Sequence, residues 1–506
     1  MEGVHLVAGG QAVSTGVDGL DAILDGGYAS HRMHLIEGQP GTGKTTLALQ
    51  FLFDGRARGE KGFYVTLSET RDELIQVAET HGWSLDGIHI YELIPPELSL
   101  DPKREQSVVY ASDLELGETV RMVFDEVERV GPARVVFDSL SEIRLLAQST
   151  LRYRRQVVAL KHFFAKEGCT VLFLDDLTEN ADDFNLHSLA HGVVRLEQRA
   201  VEYGAERRRL RVFKMRGRRF RGGFHDFVIR KGGIMLFPRL VASDYAGYHG
   251  DEAPVMSGVA ELDNLLGGGL DRGTSTLLLG PSGSGKSSFA LQYVMAALQR
   301  KERALFVTFD ETKHIFRKRA AGMGWDLRPD IEAGRLILEQ VDPAELCPGE
   351  LSGMIRKHVT EDGVRIVVLD SLSGYQNAVP AEQFMLLMMH ELLTYLNQQG
   401  VVTILVLAQH GLVGPMQSAV DLTYLSDTVL VMRFFESGGK IRRAISALKK
   451  RTGRHEDSIR EYKLDHRGIR VGPPLDEFQG VLTGVPVFTG QVSRLLETRE
   501  NARSKR

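Results

Sequence analysis

The sequence lacks the features that mark secreted and membrane proteins. Only two cysteines, Cys169 and Cys347, occur in 506 residues, so a disulfide framework is excluded and a cytoplasmic location is expected. The opening residues, MEGVHLVAGG, show no basic segment followed by an apolar core, so no signal peptide is expected. The longest apolar runs, such as VVTILVLA at 401–408, are too short to span a bilayer and suit buried parallel strands.

The chain also lacks an excess of charge of either sign. Lys and Arg number 62 against 66 Asp and Glu, a formal net charge of −4, so the whole chain is not a basic nucleic-acid coat. Hydrophobic residues make up 43% and charged residues 25%, which argues against both disorder and a membrane bundle. The histidines are scattered without H-x-x-H or C-x-x-C spacing, so no zinc site is expected.

What the sequence does contain is a tandem duplication. TGVDGLDAILDGGY at 15–28 matches SGVAELDNLLGGGL at 257–270 with an offset of 242 residues. Further on, ARVVFDSLSE at 133–142 matches VRIVVLDSLSG at 364–374 with an offset of 232. A period of this length indicates a duplicated domain rather than a short solenoid repeat. We predict one domain over 1–240, a second over 241–484, and a flexible C-terminal tail over 485–506.

Each half alternates apolar, strand-like runs with helix-like runs. In the first half the strand-like runs are HLIEG, GFYVTL, RVVFDS and TVLFLDD, and helix-like runs cover 45–59 and 151–168. Alternating βα units with buried central strands predict an α/β fold with a mostly parallel sheet flanked by helices. Ligands of such sheets bind beyond the carboxyl ends of the strands.

A phosphate-binding loop opens each half. GQPGTGKT at 38–45 and GPSGSGKS at 280–287 both fit G-x-x-x-x-G-K-[ST], each after a strand and before a helix. Backbone N–H groups of such a loop surround a polyphosphate, and the lysine reaches its β and γ phosphates. The predicted ATP-binding residues are Gly38, Gly41, Thr42, Gly43, Lys44, Thr45, Thr46, Gly280, Gly283, Ser284, Gly285, Lys286, Ser287 and Ser288.

Residues suited to a magnesium ion accompany each loop. Thr45 and Ser287 follow the loop lysines and offer hydroxyl oxygens. Asp138 and Asp370 end apolar strands (VVFD and VVLD), close to where the phosphates are expected, and a carboxylate there can hold Mg²⁺ through water. The alternative role of each aspartate is a structural strand-end cap.

Hydrolysis also needs a group that orients or deprotonates water. The second strand of each half ends in polar residues, Ser68-Glu69 in the first and Asp310-Glu311 in the second. We predict catalytic roles for Glu69, Asp310 and Glu311. The alternative for the two glutamates is a favourable acid in the first turn of the next helix.

With two loops, two strand-end acids and the duplication, the sequence resembles the KaiC-like double-domain proteins of the RecA superfamily. The lead-in before each loop is characteristic of that group, and the likeness covers about residues 12–485. The resemblance implies two RecA-like P-loop domains, a hexameric double ring with ATP between subunits, and regulatory protein partners of the circadian-clock type. It also implies slow ATPase activity in the first domain, and ATPase, serine/threonine autokinase and autophosphatase activities in the second.

The resemblance further implies a Lys-x-Arg pair that reaches ATP on the neighbouring subunit. Lys214 and Arg216 match it in the first half, and Lys449 and Arg451 in the second. The family also carries two adjacent glutamates after the second strand, where this chain has Ser68 or Asp310 at the first place. The first domain is therefore expected to hydrolyse ATP slowly, to use Glu69, or to act as a nucleotide clamp.

The family places adjacent Ser and Thr phosphoacceptors in the second domain. DLTYLSDTVLVMRFF at 421–435 aligns Thr423 and Tyr424 with these positions, so a two-site Ser/Thr cycle is in doubt. Thr423 and Ser426 remain candidate acceptors. The alternative is that they are hydroxyls at the edge of a β-rich segment.

A basic stretch supports a rival function. ERRRLRVFKMRGRRFR at 206–221 holds nine basic residues, as a nucleic-acid track would, and RecA relatives include DNA-dependent recombination ATPases. Against this, the chain is acidic overall, only Phe213 and Phe220 are near for base stacking, and the stretch contains Lys214 and Arg216. We therefore expect an ATP interface and a solvated strand face, and we do not expect nucleic acid to be a partner.

Overall fold

The computed structural model describes most of both repeats. It covers residues 11–93, 111–147, 149–177, 184–200, 204–241, 245, 247–248, 250, 253–378, 382–409, 421–483 and 487–488. The chain divides into two compact units, Met1–Arg239 and Leu240–Arg506, called repeat 1 and repeat 2 below.

Repeat 1 is a twisted sheet with helices on both faces. Its strands are β1 (Ala12–Val13), β2 (Tyr28–Ala29), β3 (Met33–Gly38), β4 (Gly62–Thr66), β5 (Ile88–Glu92), β6 (Arg134–Asp138), β7 (Thr170–Asp176), β8 (Gly192–Arg199), β9 (Arg207–Met215), β10 (Phe224–Arg230) and β11 (Gly233–Phe237). Its helices are α1 (Asp18–Ile23), α2 (Lys44–Ala57), α3 (Arg71–Thr80), α4 (Ala111–Val130), α5 (Leu140–Ala147), α6 (Thr150–Lys166) and α7 (Phe184–Leu189).

Repeat 2 has a similar order of elements, with a further short helix before its third strand. Its helices are α8 (Ala260–Leu265), α9 (Lys286–Gln299), α10 (Lys313–Gly322), α11 (Arg328–Glu332), α12 (Pro348–Thr360), α13 (Leu372–Ala378) and α14 (Glu382–Gln398). Its strands are β12 (Ser275–Gly280), β13 (Arg303–Thr308), β14 (Leu336–Gln340), β15 (Val364–Asp370), β16 (Val402–Ala408), β17 (Thr428–Ser437), β18 (Lys440–Lys450), β19 (Ile459–Asp465), β20 (Gly468–Pro474), β21 (Phe478–Gln479) and β22 (Val487–Phe488).

The two main sheets have matching strand orders. Repeat 1 reads β5-β4-β6-β7-β3-β8-β9-β10-β11 and repeat 2 reads β14-β13-β15-β16-β12-β17-β18-β19-β20. In each sheet the first six strands are parallel and the last three antiparallel. The predicted α/β fold of two tandem RecA-like domains is confirmed.

Each parallel sheet separates two apolar layers. Successive residues of β3 point to opposite faces, so Leu35 and Ile36 enter different core clusters. In repeat 2, Leu277 and Leu278 of β12 divide in the same way. Because both faces are covered, the central strands are continuous apolar runs, which is why the sequence showed them as such.

In each repeat, an aspartate accepts a hydrogen bond from the start of the lead-in segment that precedes the phosphate loop. The Thr15 backbone N–H donates to Asp21 at 2.7 Å, and Ser257 donates to Asp263 at 2.7 Å in repeat 2. A Cβ added at Gly16 would lie 2.3 Å from the Gln50 carbonyl oxygen of α2. The glycine therefore lets the lead-in lie against the helix that follows the phosphate loop.

The described helices include none that is both long and apolar enough to cross a bilayer. Both cysteines are free thiols buried in the fold. The predicted tail at 485–506 lies outside the described residues except for Val487–Phe488, which pair with Phe478–Gln479.

Candidate nucleotide sites

Both phosphate loops turn into their helices through a left-handed glycine. Gly43 has φ 101° and Gly285 has φ 97°, a conformation that side chains with a Cβ rarely adopt. Helix α2 then begins at Lys44 and α9 at Lys286. The free N–H groups of each first turn therefore face the loop, where they can bind phosphate oxygens.

The loop lysines fold back over their own loops. Lys44 Nζ donates to the Gly38 and Gln39 carbonyl oxygens at 2.8 and 3.1 Å. Lys286 Nζ donates to the Gly280 and Pro281 carbonyl oxygens at 2.9 and 2.8 Å. Each ammonium thus sits at the centre of its loop, where the β and γ phosphates are expected.

The electrostatic surroundings of the two lysines differ. Lys44 forms an ion pair of 2.7 Å with Asp176 at the end of β7. The matching position in repeat 2 is Ala408, the last residue of β16. Burial there lowers the pKa of Lys286 to about 8, although the nearby Asp370 carboxylate opposes the shift.

The predicted magnesium aspartates lie where the sequence placed them. Asp138 and Asp370 end β6 and β15 and are both buried. Burial raises the pKa of Asp138, and a hydrogen bond from Tyr64 (2.5 Å) and the neighbouring Lys44 oppose the rise. Burial also raises the pKa of Asp370, and a hydrogen bond from Ser287 is the largest opposing effect.

These donors fit a magnesium ion. Each site brings one carboxylate and one hydroxyl together, since Thr45 also hydrogen-bonds to Asp138. Mg²⁺ is usually held by one or two carboxylates together with substrate phosphates and water, rather than by a full protein cage. The described residues accordingly contain no cluster of three or more His, Cys, Asp or Glu suited to a metal.

In repeat 2 the two strand-end acids are both oriented by neighbours. Ser371 Oγ donates to Asp310 at 2.6 Å, and Arg319 forms an ion pair of 2.7 Å with Glu311. Both acids line one cavity of about 640 Å³ with the loop lysine and the buried aspartate. The cavity wall includes Lys286, Ser287, Asp310, Glu311, Asp370 and Gly374.

In repeat 1 the corresponding acids differ. Ser68 is exposed and takes the place of Asp310. Among the described residues, Glu69 has no arginine partner, and Val77 stands where repeat 2 has Arg319. One Glu69 carboxylate oxygen is buried without a hydrogen-bond partner among the described residues. Burial, and then the charge of Asp138, raises the pKa of Glu69.

The Lys-x-Arg pairs donate hydrogen bonds to backbone carbonyl oxygens in a turn of their own chain. Lys449 donates to the Thr423 and Ser426 carbonyl oxygens at 2.8 and 2.7 Å, and Arg451 donates to Tyr424 at 2.6 Å. In repeat 1, Lys214 donates to the carbonyls of His187 and Ala190, and Arg216 to that of Ser188. Neither Lys449 nor Arg451 belongs to the described wall of the cavity that holds Lys286.

The two candidate phosphoacceptors are not equally accessible. Thr423 is half-buried in a turn before β17, and its hydroxyl donates to Asp421 at 2.5 Å. Ser426 is fully buried, and its hydroxyl donates to the Leu422 carbonyl oxygen at 3.1 Å. Thr423 is therefore the better candidate of the two.

Part of the basic stretch is paired within the fold. Arg209 forms an ion pair of 2.6 Å with Glu197, and its guanidinium lies 3.6 Å from the Phe224 ring centre. Arg218 donates to the Asp25 carbonyl oxygen at 2.8 Å. The guanidinium groups of Arg195 and Arg211 lie 4.4 and 4.8 Å from the centre of the Phe213 ring, although the ring stays partly exposed. This arrangement fits the expected strand face better than a nucleic-acid track.

Sequence reasoning missed several residues that shape the sites. They are Tyr64, Asp176, Arg319 and Ser371, which hold Asp138, Lys44, Glu311 and Asp310 respectively. Three of these contacts join positions more than 60 residues apart, so no local motif reveals them. The duplication offered one signal. Tyr64, Asp176 and Arg319 each correspond to a residue of a different type at the matching position of the other repeat.

Two P-loop domains of RecA-like topology, each with a buried strand-end aspartate beside its loop, define a tandem nucleotide-binding ATPase. A family model described as "ATPase: KaiC" matches residues 13–241 and 255–476, so the chain belongs to the KaiC ATPase family.

Named relatives match over nearly the whole chain. The circadian clock protein KaiC3 of Synechocystis sp. is 25% identical over 491 residues, covering 95% of each chain. The circadian clock oscillator protein KaiC of Picosynechococcus sp. is 26% identical over 487 residues, covering 95% of this chain and 93% of the relative. That of Thermosynechococcus vestitus is 25% identical, covering 94% and 91%.

Proposed function

We propose that the protein is a ring-forming, regulatory ATPase that binds ATP·Mg²⁺ in both repeats and phosphorylates itself in repeat 2. The observation that carries the proposal is the assembly of Lys286, Ser287, Asp310 and Asp370 around one cavity. A loop lysine, a hydroxyl and a buried aspartate supply the parts that hold ATP and its magnesium ion. The strand-end acids, Asp310 and Glu311, supply the carboxylate that acts on the attacking nucleophile.

In repeat 2, the chain's own residues have separable roles. Lys286 neutralises charge on the transferred phosphoryl group, and Ser287 with Asp370 holds the metal-facing side. Asp310, oriented by Ser371, accepts a proton from the attacking water or hydroxyl. Glu311 is held by its ion pair with Arg319. Ser287 and Asp370 would hold Mg²⁺, which would supply positive charge to offset that developing on the phosphates.

The position of the cation pair supports assembly with other copies of the chain. Lys449 and Arg451 hold the turn that bears Thr423, and the described cavity wall around Lys286 includes neither of them. An ATP at this chain's own loop would therefore lack these cations. We propose that they, with Thr423, meet ATP held by a neighbouring subunit of a homohexamer, and that protein partners regulate this cycle.

The test uses purified protein with γ-labelled ATP and magnesium. Label released as phosphate measures hydrolysis, and label retained on the chain measures self-phosphorylation. We expect slow release together with label on the peptide that contains Thr423, and loss of that label in Thr423→Ala. Ser426→Ala is the matched control, since its buried hydroxyl should accept no phosphate. Release without retention would leave a plain ring ATPase.

The same assay addresses the rival DNA-dependent function. Single-stranded DNA should leave the rate of phosphate release unchanged, because Arg209 and Arg218 of the basic stretch are engaged within the fold and the whole chain is acidic. A large stimulation that weakens with added salt would instead favour a nucleic-acid-dependent ATPase.

A further inference from the structure

The two repeats carry side chains at complementary positions beside their phosphate loops. Beyond β13, repeat 2 has Asp310, whereas repeat 1 has Ser68 beyond β4. The third residue of helix α13 in repeat 2 is Gly374, whereas the third residue of α5 in repeat 1 is Glu142. One repeat thus has a carboxylate on the strand end and none on the helix, and the other has the reverse.

Matched hydrogen bonds establish that the helix positions correspond. Ser141 Oγ accepts from the Asp176 backbone N–H at 3.1 Å, and Ser373 Oγ accepts from the Ala408 backbone N–H at 3.1 Å. The two serines precede Glu142 and Gly374 directly. The helices therefore start in the same place relative to the neighbouring strand.

Matched bonds also fix the strand positions. The Leu67 N–H donates to the Asp138 carbonyl oxygen at 2.8 Å, as Phe309 does to Asp370 at 2.8 Å. Ser68 follows Leu67 as Asp310 follows Phe309. The strand ends and helix starts of the two repeats therefore form equivalent frames around the site.

Within this frame, the two carboxylate positions exclude each other. A Cβ added at Gly374 would lie 2.2 Å from Asp310 Oδ1 and 3.0 Å from its carboxyl carbon. Any side chain at that helix position would thus displace the Asp310 carboxylate. In repeat 1, Ser68 puts no carboxylate at the strand end, and Glu142 at the matching helix position is only half-buried.

We propose that Glu142 is the catalytic carboxylate of repeat 1, supplied by helix α5 to the space that Asp310 fills in repeat 2. The proposal rests on the ATPase function proposed above. Among the described residues, no hydrogen bond or ion pair engages the Glu142 carboxylate, so it is free to accept a proton. Repeat 1 is accordingly a working hydrolytic site rather than a nucleotide clamp.

In the proposed step, water attacks the γ-phosphorus and the bond to the β,γ-bridging oxygen breaks. One proton of the attacking water passes to Glu142 and then to solvent. ADP and inorganic phosphate leave. Lys44 neutralises charge on the phosphoryl oxygens throughout.

Glu69 is the competing candidate within the same site. Its backbone N–H donates to the Thr66 hydroxyl oxygen at 3.0 Å, as the Glu311 N–H donates to the Thr308 hydroxyl oxygen at 3.1 Å. Glu69 therefore occupies the place of Glu311 and not that of Asp310.

The test begins with the Asp310→Asn chain, in which the remaining phosphate release comes from repeat 1. Adding Glu142→Gln should lower that release by about 100-fold, since a general base contributes roughly 10² to 10⁴ in rate. Binding of a fluorescent ATP analogue should be unchanged, because the amide keeps the size of the side chain. Glu142→Gln alone should leave label retention in repeat 2 intact.

A reciprocal exchange keeps the test independent of any damage by a single change. Ser68→Asp with Glu142→Gly copies the arrangement of repeat 2, and in the Asp310→Asn background it should restore release to within a fewfold of that background. Ser68→Asp alone should not restore or raise the rate, because both side chains compete for one space.

The outcomes separate this proposal from the proposed function. Unchanged release in Glu142→Gln, with loss of release in Glu69→Gln, would overturn the role of Glu142 and leave the ATPase in place. Absence of release in the Asp310→Asn chain would also overturn it, since repeat 1 would then not hydrolyse ATP. Absence of release from the unaltered protein would overturn the proposed function itself.

Discussion

Strands β3 and β12 occupy the same place in the two sheets, yet their charges differ. In β3, Glu37 is buried and pairs with Arg195 at 2.8 Å and His187 at 3.0 Å. The matching residues of β12 and β17 are Leu279 and Val431, which face each other in the same register. One fold thus accepts either an ion pair or an apolar pair at the base of its phosphate loop.

The two repeats also differ in the charged residues next to their phosphate loops. Repeat 1 pairs its loop lysine with Asp176, whereas the hydrogen bonds that the structure describes for Lys286 of repeat 2 go to carbonyl oxygens. Repeat 2 orients two acids with Ser371 and Arg319, and repeat 1 has neither Asp310 nor the arginine. Two phosphate loops of the same motif can therefore serve different chemistry when the charged residues around them differ.

The largest expected effect on stability comes from breaking the buried pair of repeat 1. Glu37→Ala removes the buried carboxylate that Arg195 and His187 share, and because the Arg195 side chain is 25% exposed the free energy of unfolding should fall by about 1.5–3 kcal/mol. The measurement is urea unfolding of the full chain with Trp325→Phe, so that Trp83 alone reports on repeat 1.

The double variant Glu37→Leu with Arg195→Val is the matched control for that prediction. It copies the apolar pair of repeat 2 and should recover most of the lost stability, since replacing both partners of a buried ion pair is often close to neutral. A double variant as unstable as Glu37→Ala would show that the repeats are not interchangeable at this place.

The loop lysines should differ in what they control. Lys44→Ala and Lys286→Ala should each weaken ATP binding at the altered repeat by about 30-fold or more, since a lost charge partner costs roughly 2–5 kcal/mol. We expect Lys44→Ala to weaken nucleotide-dependent assembly most, and Lys286→Ala to abolish self-phosphorylation. Sedimentation with and without ATP measures assembly, and undisturbed hexamers in Lys44→Ala would refute this division.

The third prediction concerns pH. The pKa of Lys286 is lowered to about 8, so in the free protein this lysine is largely neutral above that pH. Phosphate favours the charged form, so binding takes up a proton there, and the affinity of repeat 2 should fall by up to about tenfold per pH unit above 8. Calorimetry in buffers of different ionisation enthalpy measures the uptake, and a flat profile from pH 7 to 9.5 would contradict it.

A smaller effect should follow from moving the Lys44–Asp176 pair to repeat 2. Asp176 competes with phosphate for the lysine, but its carboxylate is one-third exposed and the attraction is screened accordingly. Ala408→Asp should weaken ATP binding to repeat 2 about fivefold, and Asp176→Ala should tighten binding to repeat 1 by a similar factor. Titration with a fluorescent ATP analogue measures both, and two shifts of the same sign would rule out competition.

Sequence and structure agree where the signal is local. The phosphate loops, Asp138 and Asp370 were predictable because their spacing and their strand-to-helix context fix the geometry. The burial of Ser426 and the hydrogen bond from Lys449 to its turn could not be predicted from the sequence. Both depend on how β18 packs against that turn. The duplication showed the loss of an acid at Ser68, but the frame that brings Glu142 opposite it comes only from the structure.

The central claim is that the two repeats use different carboxylates for separate tasks. The most direct measurement compares the unaltered chain with Asp310→Asn in γ-labelled ATP, following released phosphate and retained label together. The account predicts that retained label disappears while slow phosphate release continues from repeat 1. Persistent label, or loss of both signals, would contradict it.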